Sequence, residues 1–223
     1  MGPRHYGECR GAHSLTYHAP PVMFEKPQGI LWKGVISRWE RGILRNENGG
    51  QVALSLNKPK LDNLAGDIWK SAERLRGKFK AYEYQGVILP IIVIRRLECV
   101  LLAWREAKRA EVLAKRPKLT EKELAKLVKE LKLNPKQSPF SNKTDWTLRK
   151  IYEEDHALLA ENFRAYINGF SKNVDDIIEH FNYRATIGTM VKNNRLAPIL
   201  NQYKELELGP DKLSPLEMGY IYE

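Results

Sequence analysis

The largest group of residues that could do chemistry in this sequence is a run of cations between Arg95 and Lys150. This segment contains 16 basic and 7 acidic residues, a net charge of +9 in a chain whose total is +10. A local concentration of this kind suits a polyanion, most often nucleic acid, because cations neutralise phosphates. The alternative is a solvated face that only keeps the protein in solution, and the composition leaves both interpretations open.

The candidate DNA-binding residues follow the longest apolar run of the chain. Lysines and arginines contact phosphates without identifying bases, and no recognition-helix signature adds base specificity. Some of the arginines are expected to pair with Glu98, Glu106 and Glu111 instead. The DNA-binding candidates are Arg105, Lys108, Arg109, Lys115, Arg116, Lys118, Lys122, Lys126, Lys129 and Lys132.

Residues that commonly bind metals or transfer protons lack the spacing of a site. Cys9, His13 and His18 fit no common zinc pattern, so we expect them on an exposed arm. The carboxylates at 153–155 and 175–176 suit the first turns of helices, where negative charge is favoured. The sequence therefore predicts no metal site and no carboxylate dyad.

Nucleotide-binding and methyl-transfer motifs are also missing. Neither the phosphate-binding motif G-x-x-x-x-G-K-[ST] nor the dinucleotide-binding motif G-x-G-x-x-G occurs. His156 and His180 are single residues within helical patterns. The segment 134–137 begins like the Asn-Pro-Pro-Phe signature of amino-methylating enzymes, but its third and fourth residues are Lys and Gln. No catalytic and no cofactor-binding residue is predicted.

Helices are the elements that must position the cations. Apolar residues recur at helical spacing from residue 62 onward, and capping residues and glycines divide the pattern. The sequence predicts an all-α fold of seven or eight helices around one core. The predicted helices are 62–77, 83–115, 120–132, 145–168, 171–181, 183–193, 195–208 and one that begins at Ser214.

The apolar run at 87–94 must lie in the core of this fold, with Pro90 either kinking its helix or marking the first turn. The longest apolar stretch has nine residues, whereas a bilayer needs about 20. With no signal peptide evident and only two cysteines, a cytoplasmic location is expected.

The first 57 residues have no helical period and are expected to form an irregular N-terminal arm. A turn signal at 46–50 allows a small hairpin, and an arm lying on another surface is the other possibility. The predicted domains are therefore an arm at 1–57 and a helical domain at 58–223.

Four segments of the helical part resemble one family, in that family's order. The segments are 67–77, 82–97, 162–174 and 213–223. On these segments the chain is similar to the N-terminal helical domain of the modification subunit of type I restriction–modification systems. The last segment resembles the seam between that domain and the catalytic domain.

The resemblance implies a function in DNA modification. Family members methylate the N6 amine of adenine with S-adenosylmethionine, together with a specificity subunit and a restriction subunit. The helical domain helps close the complex around DNA and contacts partner subunits, and a second modification subunit is a further expected partner. The cofactor and Asn-Pro-Pro-Phe motifs follow this domain in the family.

This chain ends before those motifs, at a helix with a start signal and no stop signal. We therefore expect an N-terminal fragment without its catalytic domain, inactive alone, that contributes DNA backbone contact and subunit assembly. The alternative is a stand-alone helical interaction module that binds no nucleic acid.

Overall fold

The structure is a computed structural model that describes residues 57–131 and 140–221. This part of the chain contains nine α-helices. The predicted all-α class is confirmed: the described residues contain no strand, only an isolated antiparallel bridge between Asn142 and Phe170. A 3-10 turn, Ala81–Glu83, precedes the second helix. The helices are α1 (Lys58–Leu75), α2 (Tyr84–Lys115), α3 (Glu121–Leu131), α4 (Leu148–Glu153), α5 (Leu159–Asn168), α6 (Lys172–His180), α7 (Tyr183–Lys192), α8 (Leu196–Tyr203) and α9 (Pro215–Ile221).

The additional helix arises because the predicted helix at 145–168 is two helices. Thr147, not Asp145, caps α4, and its side chain accepts a hydrogen bond from the Lys150 amide at 3.1 Å. The chain then leaves the helix at Glu154, and the Asp155 side chain accepts from the Ala157 amide at 2.9 Å. An aspartate that bonds a nearby amide in this way favours a turn over a continuous helix.

Other predicted boundaries agree with the structure within a few residues, with two exceptions. The first helix begins at Lys58, earlier than predicted, because Asn57 caps it. The helix predicted to reach residue 208 ends at Tyr203. The capping box predicted at Ser214 is present: the Ser214 amide donates to Glu217 at 2.8 Å, and the Glu217 amide donates to Ser214 at 3.2 Å.

Helix α2 is the central element of the fold, as its apolar run predicts. Its N-terminal half is largely buried, from Val87 through the unbroken stretch at 90–94 to Leu101, and it contacts α1, α7 and α8. The helix continues through Pro90, which lies beyond its first turn. Because apolar burial is the dominant favourable term in folding, this run contributes substantially to the stability of the domain.

The C-terminal half of α2 extends beyond the main core and packs against α3. Leu124 and Val128 of α3 are buried, but they do not belong to the main core cluster. Because α3 packs against α2, we assign these two buried side chains to the contact between them. The two helices therefore form a hairpin with a small apolar contact of its own.

Some predictions concern residues outside the described ranges. They are the irregular arm and its hairpin alternative, the segment at 134–137, and Lys132. Within the part that is described, no helix is long and apolar enough to cross a membrane.

Candidate nucleic-acid interface

The hairpin formed by the C-terminal half of α2 and by α3, residues 105–131, carries most of the predicted DNA-binding residues; we call it the basic hairpin. Thr120 starts α3, because its amide donates to Glu123 at 2.9 Å and its hydroxyl donates at 2.7 Å. Since Leu124 and Val128 face α2, Lys122 and Lys126, one turn apart, are exposed. The apolar stripe of α3 thus orients its lysines towards solvent.

Three of the predicted cations have carboxylate partners on the same hairpin. The Nζ atoms of Lys108 and Lys115 lie 2.7 Å from the two carboxylate oxygens of Glu111, and Arg109 pairs with Glu121. The two lysines lower the pKa of Glu111 to about 2. Such exposed pairs contribute little to stability, so a phosphate could replace the carboxylate as the partner.

Arg105 has a different environment from the other candidates. It is half-buried, and its Nη2 donates to the carbonyl oxygen of Asn142 at 3.4 Å. Burial lowers the pKa of Arg105, and the charge of Asp145 opposes that shift. Arg105 therefore links the base of the basic hairpin to the loop before α4.

Four predicted cations are exposed and have no ion pair within the described ranges. They lie at the end of α2, in the following turn and on the outer face of α3. The side chain of Lys129, like the whole of Lys132, lies outside what is described. The four are Arg116, Lys118, Lys122 and Lys126.

Arg95 and Arg96, which begin the basic segment of the sequence, are not part of this surface. The Nε of Arg95 donates to the Leu206 carbonyl at 2.8 Å, and Arg96 donates to the Leu208 carbonyl. Arg96 is only 3% exposed. Both side chains hold the segment after α8 against α2, so the pair lies apart from the candidate surface although it begins the basic segment.

Glu98 connects three helices inside the core. One carboxylate oxygen pairs with Arg95, and the other accepts from the Leu148 amide at 2.8 Å and from the Tyr166 hydroxyl at 2.9 Å. Burial raises the pKa of Glu98, and Arg95 and the two hydrogen bonds partly offset that shift. A buried acid with this many partners positions α4 and α5 on α2.

The remaining titratable residues do not form a catalytic arrangement in the described ranges. No group of three or more potential metal ligands occurs there. His156 is exposed and lies edge-on to the Tyr152 ring at 5.2 Å, and His180 is also exposed. Asp175 pairs with Arg184 at 2.5 Å, which gives this carboxylate a structural partner.

A further concentration of exposed cations lies at the joint between α1 and α2, outside the segment that the sequence analysis selected. Arg76, Lys78 and Lys80 are exposed there beside Tyr82. The alternation of cations at 74, 76, 78 and 80 was a visible signal in the sequence. The sequence analysis did not select these cations, because they lie before the segment at 95–150 over which the charge was counted.

The fold and the surface define a class: an all-α domain built on one long core helix, with exposed cations on a helical hairpin. Residues 64–202 match the family described as the HsdM N-terminal domain, and this match covers more than half of the chain. The chain therefore belongs to the family of N-terminal domains of type I restriction–modification modification subunits. The comparison confirms the resemblance seen in the sequence; the segment at 213–223 lies beyond the match. No curated protein and no solved structure matches the chain.

Proposed function

We propose that this chain supports adenine-N6 DNA methylation by a type I restriction–modification complex, contributing contact with the DNA backbone and subunit assembly. Methyl transfer from S-adenosylmethionine is assigned to the complete complex, and this chain is assigned a supporting role. Family membership supports the general part of this proposal. The observation that carries the DNA-contact part is the group of four exposed cations on the basic hairpin that form no ion pair within the described ranges.

Charge neutralisation determines the size of the expected effect. Each cation that neutralises a phosphate steepens the dependence of log affinity on log salt by about 0.9 for B-DNA. If Arg116, Lys118, Lys122 and Lys126 all contact phosphates, they account for a slope of about 3.6. Because these contacts are made to the backbone, affinity should depend little on DNA sequence.

The test is fluorescence anisotropy with labelled duplex DNA at about 50 to 200 mM salt. We expect weak binding whose affinity falls steeply with salt. In the variant with glutamine at all four hairpin positions, the dependence of log affinity on log salt should be less steep by about 3 to 4. A matched control replaces four exposed cations elsewhere in the described structure with glutamine. The control positions are Lys58, Arg164, Lys172 and Lys192.

Two results would contradict the DNA-contact part. Absence of binding at the lowest salt would favour the alternative, a helical interaction module that binds no nucleic acid. Equal slopes for the hairpin variant and the control would show that DNA binds at another surface. Retained helical content by circular dichroism excludes unfolding as the cause of a lost signal.

The proposal of subunit assembly is supported by large apolar residues that the helices leave exposed. Trp69 of α1 is 62% exposed and Tyr220 of α9 is 51% exposed. Aromatic residues are enriched at protein interfaces. We propose the specificity subunit, the restriction subunit and a second modification subunit as partners, and copurification with each one tests this part.

A further inference from the structure

We propose that the α1–α2 joint, residues 76–82, is a second contact with duplex DNA, and that α2 sets its distance from the basic hairpin. This inference rests on the proposed DNA contact of the hairpin. It adds a site outside the segment that the sequence analysis selected. It also predicts a minimum length for a duplex that engages both surfaces.

The conformation of the joint directs its cations outward. Helix α1 ends at Leu75, and Gly77 adopts a φ of 75°, which residues with a side chain rarely adopt. The amides of Lys78 and Phe79 donate to the Leu75 carbonyl at 3.2 and 3.1 Å. Since the Phe79 side chain is buried in the core, the cations on either side of it face solvent.

The cations of the joint are available to a ligand. Lys78 has no ion pair among the described residues, and the Nζ of Lys80 lies 5.6 Å from the centroid of the Tyr82 ring. Arg76 has one exposed partner, Glu73, at 2.6 Å. The nearby Glu83 accepts the Lys80 amide at 2.7 Å, so its carboxylate is already engaged in capping the 3-10 turn.

Tyr82 is a second observation that favours a ligand at this position. Its side chain is 69% exposed, the highest value among the exposed large apolar residues of the described structure. Its ring therefore contributes little to the core. Tyrosine hydroxyls and lysines both bond phosphate oxygens, so Lys78, Lys80 and Tyr82 together match a nucleic-acid backbone.

Helix α2 separates the two surfaces. At a rise of about 1.5 Å per residue, the distance along α2 is about 32 Å from the joint to the start of the basic hairpin at Arg105 and about 48 Å to its far end at Lys115. With about 3.4 Å per base pair along B-DNA, these distances correspond to about 9 and about 14 base pairs. A rigid duplex longer than about 14 base pairs can contact both ends of α2, whereas one shorter than about 9 reaches a single end.

The experiment measures the affinity of the full chain for duplexes of 8 and 24 base pairs, using Lys78→Gln/Lys80→Gln as the joint variant. At about 0.1 M salt, two lost phosphate contacts at an exponent of about 0.9 each predict up to about 60-fold weaker binding of the long duplex. The salt slope should fall by about 2. Binding of the short duplex should change less than twofold, because the basic hairpin alone supports it.

Two further variants separate a specific contact from a general effect of charge. Arg164→Gln/Lys192→Gln makes the same charge change at exposed positions of α5 and α7 and should leave both affinities unchanged. Tyr82→Phe keeps the ring and the charge but loses the hydroxyl. It should weaken binding of the long duplex about threefold to fivefold and leave the short duplex unaffected.

Each contrary outcome has a distinct meaning. If the joint variant binds the long duplex like the wild type while the hairpin variant does not, the joint is not a DNA contact and the proposed function stands. If the joint variant weakens both duplexes equally, bridging along α2 is refuted. Equal binding of poly-glutamate and the long duplex would point to an acidic protein partner and overturn the proposal. If neither variant affects DNA binding, the proposed function itself fails.

Discussion

Removal of the Glu98 side chain should destabilise the domain more than any single change at its surface. The carboxylate is 3% exposed in an ion pair whose Arg95 side chain is 11% exposed. It also accepts from the Leu148 amide and the Tyr166 hydroxyl. Glu98→Ala therefore leaves a buried cation and two buried donors without this partner.

The size of this effect follows from those lost contacts. Breaking a buried ion pair by removing one partner costs about 3 to 5 kcal/mol. For a domain of this size, 1 kcal/mol shifts the melting temperature by about 2 to 4 °C, so we expect a decrease of about 6 to 20 °C. Glu98→Gln keeps one oxygen, which can accept from both the Leu148 amide and the Tyr166 hydroxyl, so its destabilisation should be smaller.

The raised pKa of Glu98 also predicts the sign of a pH dependence. Because burial raises the folded-state pKa above the unfolded value of about 4.5, the folded protein binds the proton more tightly than the unfolded chain. The contribution of Glu98 to stability is thus fully present below the unfolded value and decreases as pH rises through the folded-state pKa. Glu98→Gln should remove this component of the pH profile.

The assay is urea unfolding followed by circular dichroism, repeated from about pH 4 upward in the wild type and both variants. A loss below about 1 kcal/mol for Glu98→Ala at pH 7, with an unchanged denaturant slope, would refute the structural role of this network. Identical pH profiles for the wild type and Glu98→Gln would refute the pKa direction.

Three further predictions test local features. Gly169→Ala should cost about 1 to 3 kcal/mol, because a Cβ there would lie 2.5 Å from the Asn142 Oδ1 atom. Gly188→Ala should instead stabilise α7 by up to about 1 kcal/mol, because a Cβ there meets nothing within 4 Å. Thermal unfolding compares the two variants. Thr147→Ala should cost about 1 kcal/mol in urea unfolding by removing the cap of α4, and Thr147→Ser should restore most of it; no difference between these variants would contradict the capping role. Trp69→Gln should leave the melting temperature within about 1 °C while reducing copurification with partner subunits, and unchanged copurification would exclude this surface from assembly.

Local sequence patterns predicted most of the fold because they act over one or two helical turns. The apolar run at 87–94 could only be buried, and the capping box at Ser214 started its helix as expected. The pattern failed between α4 and α5, where the turn at Asp155 divided a continuous apolar period, and at the start of α4, which Thr147 caps in place of Asp145. Which of two neighbouring residues caps a helix depends on small differences in free energy, and the spacing of apolar residues does not reveal them.

The candidate surface was less predictable than the helices. The sequence determined that a basic segment exists and where its helices lie. Tertiary structure decided which cations are free, because their partners are distant: Arg96 bonds the carbonyl of a residue 112 positions away, and Arg109 pairs across the hairpin with Glu121. Charge composition is additive along the chain, whereas pairing and burial depend on how separate helices pack together.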